Sequence, residues 1–238
     1  MPNNYFTFKE FTVSQDRSAM KVGTDGVLLG AWATVGNFPD ILDVGTGTGL
    51  IALMMAQRNP YSFVDAVEPD NGSYVQAVEN FMASNWSERL KVYNKSVQEY
   101  AESTDKNYDL IISNSPFFIN SLKSPETSRT HARHTDSLPQ KELILSVKKL
   151  LKDNGIFSVI YPYEEGIKFL DECTMQNFFC IRRTDVYPLI DGPVKRLLLE
   201  FSQNEMACNY DKLVVGYTGR NNFTEEYKNL TSEFYLKF

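Results

Sequence analysis

Residues 40–58 read DILDVGTGTGLIALMMAQR. The opening DILDV is a short apolar run, broken only by acids, and has the length of a buried strand. Gly45, Gly47 and Gly49 follow at every second position. Glycines so placed permit a tight turn and let a ligand come close to the backbone. Leu50–Arg58 then has the composition of a helix. A strand that turns through glycines straight into a helix belongs in a parallel sheet, where ligands bind at the carboxyl ends of the strands.

The same alternation continues outward. SFVDAVEP, LKVYNKS, YDLIIS and IFSVIYP (residues 62–69, 90–96, 108–113 and 156–162) read as further strands. NGSYVQAVENFMASN (71–85) and LPQKELILSVKKLLKDNG (138–155) read as helices, the second ending at Gly155. CIRRTDVYP (180–188) and VKRLLLEFSQ (194–203) are close enough in sequence to pair antiparallel. The expected class is α/β, a mostly parallel sheet with helices on both faces. Before it, YFTFKEFTV (5–13) predicts a strand or hairpin, and GTDGVLLGAWA (23–33) a short helix capped by Thr24 or Asp25. After it, the tail holds another strand-like run, KLVVGY, and the aromatic EFYLKF. The connection 119–137 exceeds an ordinary loop between strand and helix, which points to function.

Composition narrows the classes. The chain has 238 residues, 42% of them hydrophobic and 23% charged, ample for a sizeable core. Its net charge of −6 excludes a general polyanion binder, so nucleic-acid contact must come from local basic patches. The three cysteines, Cys173, Cys180 and Cys208, form no C-x-x-C and are expected to be buried, reduced thiols in a cytoplasmic protein. No apolar run of membrane-spanning length occurs, and the N-terminus does not have the pattern of a signal peptide. No metal site is expected, because His131 and His134 have no acid or cysteine at ligand spacing.

Two acids sharpen the glycine turn. Asp43 stands just before the glycines, and Glu68 ends the next strand, where a carboxylate can accept hydrogen bonds from ribose hydroxyls. A nucleoside-containing cofactor follows, either a dinucleotide or S-adenosylmethionine. A dinucleotide site normally spaces its glycines G-x-G-x-x-G around a pyrophosphate. Here the spacing is G-x-G-x-G behind an acid. The sulfonium and ammonium of S-adenosylmethionine suit Asp43 better than a pyrophosphate does.

SNSPFF (113–118) closes the YDLIIS strand on the same sheet edge. DVGTGTG, EPD and NSPFF, in that order, resemble the Rossmann-like methyltransferases that modify a planar nitrogen. FTFKEFTVSQDRSAMKVGTDGVLLGAW (6–32) and VKRLLLEFS (194–202) extend the resemblance over most of the chain, to the bacterial tRNA1(Val) adenine-N6 methyltransferases. The resemblance implies a mostly parallel seven-stranded sheet with an antiparallel final hairpin. It implies an extension, residues 1–38, that serves as a cofactor lid, and a methyltransferase domain, residues 39–238. It also implies methyl transfer from S-adenosylmethionine to N6 of adenine 37, next to the anticodon, in the cytoplasm. A monomer is the favoured state. Methylation of rRNA guanine N2 or of protein glutamine, and non-catalytic binding of S-adenosylmethionine or RNA, are the alternative functions.

Residue roles follow from the same likeness. Asn114 and a backbone carbonyl near Ser115 would accept the two hydrogens of the adenine amine, whose lone pair is otherwise delocalised into the ring. Pro116 would hold that carbonyl in place, and Phe117 would stack on the base, at roughly 1–3 kcal/mol. Ser115 stands where the family has proline. The cofactor set is Lys21, Thr24, Asp43, Gly45, Gly47, Gly49, Glu68 and Asn114, and Lys21, Thr24 and Asp25 are the candidates in the lid DRSAMKVGTDG. In the basic stretch KSPETSRTHARH, Lys123, Arg129 and Arg133 would contact RNA phosphates. Arg182–Arg183 and Lys195–Arg196 read as further RNA contacts or, preferably, as charges guarding edge strands.

Overall fold

A computed structural model describes residues 3–18, 20–114, 140–218 and 222–237. The glycine turn joins β3 (Asp40–Val44) to α2 (Leu50–Arg58). From β3 the chain steps to one side through β4 (Phe63–Val67) and β5 (Leu90–Tyr93). It then crosses to β3's other side for β6 (Tyr108–Ser113) and β7 (Leu151–Pro162). These five strands are parallel. The strand order therefore reverses between β3 and β6, the place where open α/β sheets bind ligands.

β9 (Arg196–Ser202) inserts antiparallel between β7 and β8 (Phe179–Leu189). β3 to β9 are the seven strands expected, with β8 and β9 as the antiparallel pair. The tail adds an eighth, β10 (Asn209–Gly216), parallel to β8, with Leu213 and Val215 packed on the core. A separate two-stranded ribbon, β1 (Tyr5–Thr7) and β2 (Thr12–Ser14), is the predicted N-terminal hairpin.

Burial on both faces explains the apolar strands. One core contains α1 (Thr24–Trp32), every residue of α2 from Leu50 to Ala56, Phe81 of α3 (Asn71–Met82) and Tyr227 of α7 (Glu225–Thr231). The other contains α4 (Val97–Ser103), α5 (Gln140–Leu150) and α6 (Tyr163–Met175). The aromatic tail finds its role here. Tyr235 packs 5.9 Å from Phe8, and the Phe234 carbonyl accepts the Lys9 N–H at 2.9 Å, which fastens the tail to the N-terminal hairpin.

Several local expectations are corrected. The helix predicted to end at Gly155 stops at Leu150, and β7 begins at Leu151. Lys152 reaches Asp40 and Asp109 at 3.0 and 2.8 Å, and the chain bulges between Leu151, paired with Tyr108, and Ile156, paired with Leu110, bringing the Cβ position of Gly155 to 2.7 Å from the Leu151 side chain. Neither Thr24 nor Asp25 caps α1, since Gly23 occupies the cap position without a side-chain bond. Only Cys173 is buried; Cys180 and Cys208 are half-exposed, with their thiols 3.5 Å apart. β8 is no edge strand, because β10 covers it.

Candidate active site

The glycine turn has a left-handed backbone at all three glycines, with φ of 68°, 57° and 84° at Gly45, Gly47 and Gly49. Side-chain-bearing residues rarely adopt such angles. The Gly45 and Thr46 N–H groups both donate to the Val67 carbonyl, at 2.9 and 3.2 Å, which binds the turn to the end of β4. Glu68, the next residue, is buried and works with both oxygens. One accepts the Gly47 N–H at 2.8 Å and the other the Asp70 N–H at 2.9 Å. Asp70 in turn caps α3 by accepting the Ser73 N–H.

Asp43 lies beneath the turn and is 1% exposed. Its Oδ2 accepts from the Thr46 hydroxyl at 2.5 Å and the Ala52 N–H at 3.1 Å. Its Oδ1 is buried and has no hydrogen-bond partner among the described residues. Burial pushes this carboxyl up to about 7; the two hydrogen bonds oppose the shift, and the nearby Glu68 charge adds to it.

Asn114 leaves the end of β6, beside the turn. The preceding Ser113 donates its hydroxyl to the Val44 carbonyl at 3.0 Å, locking β6 to β3 at this point. The Asn114 amide is half-buried against the first turn of α1, where a Cβ built on Gly26 would stand 3.5 Å from Nδ2. The structure thus gathers Asp43, the three glycines, Glu68 and Asn114 at the strand-order reversal. Lys21 instead gives its ammonium to the Asn3 carbonyl at 3.3 Å, and Thr24 is exposed at the start of α1. Ser115, Pro116, Phe117, Lys123, Arg129 and Arg133 lie outside the described residues.

A wall of the site escaped the sequence reading. Ser73, Gln76 and Asn80 project from α3 and are buried. Asn80 accepts the Ser14 N–H and donates to the Ser14 and Thr48 carbonyls. Gln76 accepts the Arg17 N–H, and the Ser18 and Ser73 hydroxyls meet at 3.1 Å. Residues 14–18 are thereby laid along α3 to the glycine turn, with Ser18 Oγ 4.0 Å from the Cβ position of Gly47. The signal was present, for positions 73, 76 and 80 form a polar stripe at helical spacing. Asn94, just after β5, closes the other side by donating to the Glu68 and Pro69 carbonyls.

The arginines on β8 are internal ties. Arg182 lies 4.1 Å over the Trp32 ring and 3.6 Å from Glu200, and Arg183 makes two bonds to Asp185. Among the described residues no cluster of three or more His, Cys, Asp or Glu could hold a metal. None of the described helices is long and apolar enough to cross a membrane.

Residues 23–189 match the model of the methyltransferase small domain family. A tRNA1(Val) (adenine(37)-N6)-methyltransferase of Trichodesmium erythraeum is 48% identical, with all of both chains covered. One from Christiangramia forsetii is 45% identical with the same coverage. Among solved structures, a predicted O-methyltransferase of Agrobacterium tumefaciens superposes with a TM-score of 0.69 at 17% identity, over 88% of this chain and 96% of that one, a likeness of fold.

Proposed function

This chain belongs to the tRNA1(Val) (adenine(37)-N6)-methyltransferase family, and we propose that it methylates N6 of adenine 37 in tRNA1(Val), with S-adenosylmethionine as donor, in the cytoplasm. The observation that carries this reading is the placing of Asn114, an amide with both a donor and an acceptor, beside a glycine turn at the reversal of strand order.

The described residues suit the donor. Asp43 Oδ1 is a buried oxygen lacking a partner among the described residues, a fit acceptor for cationic density. Glu68 follows β4 directly, where a carboxylate can accept hydrogen bonds from ribose hydroxyls. The left-handed glycines leave the backbone bare where a ligand must approach closely. Residues 14–18, laid along α3, suit the lid assigned to the 1–38 extension. When bound, S-adenosylmethionine supplies an electrophilic methyl on its sulfonium.

The chain's own task is to prepare the amine. Asn114 Oδ1 accepts one amine hydrogen, and the carbonyl near Ser115 accepts the other, so the lone pair leaves the ring and turns toward the methyl. Pro116 restrains that carbonyl, and Phe117 stacks on the flipped base. The catalytic gain is mainly proximity and orientation. The methylated nitrogen is acidic enough to lose its proton to water. Lys123, Arg129 and Arg133 hold phosphates around the base.

Labelled methyl transfer tests the whole reading. Label should appear as N6-methyladenosine in an unmodified tRNA1(Val) transcript, and a transcript with guanine at position 37 should stay unlabelled. Label in guanine or in protein would establish one of the alternative substrates. Binding of donor without transfer would establish a non-catalytic protein.

Calorimetry tests the donor site through two acids. Below pH 7 the Asp43 carboxyl carries a proton that a bound cation must displace. Donor affinity should therefore rise as pH rises toward about 7 and level off above it. In Asp43→Asn this rise should vanish; a rise that persists would remove Asp43 from the donor site. Glu68→Ala should weaken donor binding about tenfold or more, since hydrogen bonds to a charged group contribute roughly 1.5–3 kcal/mol. Unchanged affinity would place the ribose elsewhere.

A further inference from the structure

We propose that Arg196 is a positioning residue: its ion pair with Asp25 pins the first turn of α1 against Asn114 and so holds the amide that orients the target amine. This rests on the role of Asn114 given above. Arg196 begins β9, which lies inside the sheet between β7 and β8, paired with Pro162 on one side and Val186 on the other. Its Nε donates to Asp25 Oδ2 at 2.8 Å, and a second guanidinium nitrogen donates to the Lys195 carbonyl at 2.9 Å, so the side chain is held at two points.

Across that contact, α1 starts without a side-chain cap. Asp25, in its first turn, directs its carboxylate to Arg196. One residue later, Gly26 is where α1 backs onto the site. A Cβ there would meet Leu50 Cδ2 at 3.1 Å and Asn114 Nδ2 at 3.5 Å. The path therefore runs from the strand through the Arg196–Asp25 ion pair to Gly26, whose missing side chain leaves the Asn114 amide beside the α1 backbone. Movement of this uncapped turn would shift the surface against which the amide rests.

The ion-paired groups are 34% and 36% exposed, so the pair itself adds little stability. Its effect should appear in the chemical step, where small misplacements are costly. An RNA contact is the competing role for an arginine at this edge, and it has a different signature, a weaker salt dependence of RNA binding.

Single-turnover methylation of a tRNA1(Val) transcript at saturating RNA decides between them. Arg196→Ala and the isosteric Asp25→Asn should each slow the step about three- to tenfold. RNA affinity, its salt slope and the melting temperature should stay at wild-type values. The reversed pair, Asp25→Arg with Arg196→Asp, should recover the rate to within about twofold. In an Asn114→Ala background, Arg196→Ala should cause no further loss, because both act through one amide. Wild-type rates in Arg196→Ala and Asp25→Asn, with Asn114→Ala slow, would overturn the latch alone. An additive loss, failure of the reversed pair, or a salt slope reduced by about one would also overturn it, the last by making Arg196 a phosphate contact. A wild-type rate in Asn114→Ala would overturn the role of Asn114 itself.

Discussion

Asn114→Ala is expected to slow single-turnover methylation of an unmodified tRNA transcript about a hundredfold, with RNA affinity little changed. In the role proposed for it, the amide serves mainly as the amine rehybridises, so its loss should fall on the rate and not on ground-state binding. The fold supports that division. Asn114 follows a strand fixed to β3 by the Ser113 hydroxyl, and its amide rests against α1, so removing the side chain leaves the surrounding backbone anchored. Phe117→Ala should fail differently, raising KM as well, since a stacking surface also acts on the bound ground state. A near wild-type rate in Asn114→Ala would mean that the amine is activated by other groups.

Gly49→Ala is expected to cost about 2–5 kcal/mol of stability, combining a left-handed residue at roughly 1–2 kcal/mol with overpacking at roughly 1–3 kcal/mol. At Gly49 φ is 84°, and a Cβ would stand 2.5 Å from a ring carbon of Phe81. Phe81 is buried in α3, the helix along which residues 14–18 lie, so the ring cannot simply swing out to solvent. Urea unfolding should show the loss. Adding Phe81→Leu should relieve the clash but not the backbone strain, leaving the double variant short of the stability of Phe81→Leu alone. If Gly49→Ala unfolds at the wild-type midpoint, the turn is not confined to a left-handed backbone.

The turn and the strands were legible because their causes are local. Gly45, Gly47 and Gly49 declare a backbone that side chains resist, and apolar runs such as Tyr108–Ser113 declare strands covered on both faces. The end of α5 was not legible. Residues 151–155 carry helix-compatible side chains, but Lys152 is drawn to Asp40 and Asp109, acids supplied by β3 and β6. Likewise Asp25 had the residue type of a cap, and a partner 171 positions away claimed its carboxylate.

The amino-acid sequence by itself determined the α/β alternation, the glycine turn with its two acids, and Asn114 at the end of its strand. Each depends on neighbours within a few residues, through turn chemistry and periodic burial. Only the tertiary structure decided how those parts face one another. It set Gly47 against Glu68, left Asp43 Oδ1 without a partner among the described residues, laid residues 14–18 along α3 and lodged the first turn of α1 between Arg196 and Asn114. These contacts join segments far apart in the chain. They form because packing two layers of helices onto one twisted sheet fixes which termini meet, a constraint no local window of sequence contains.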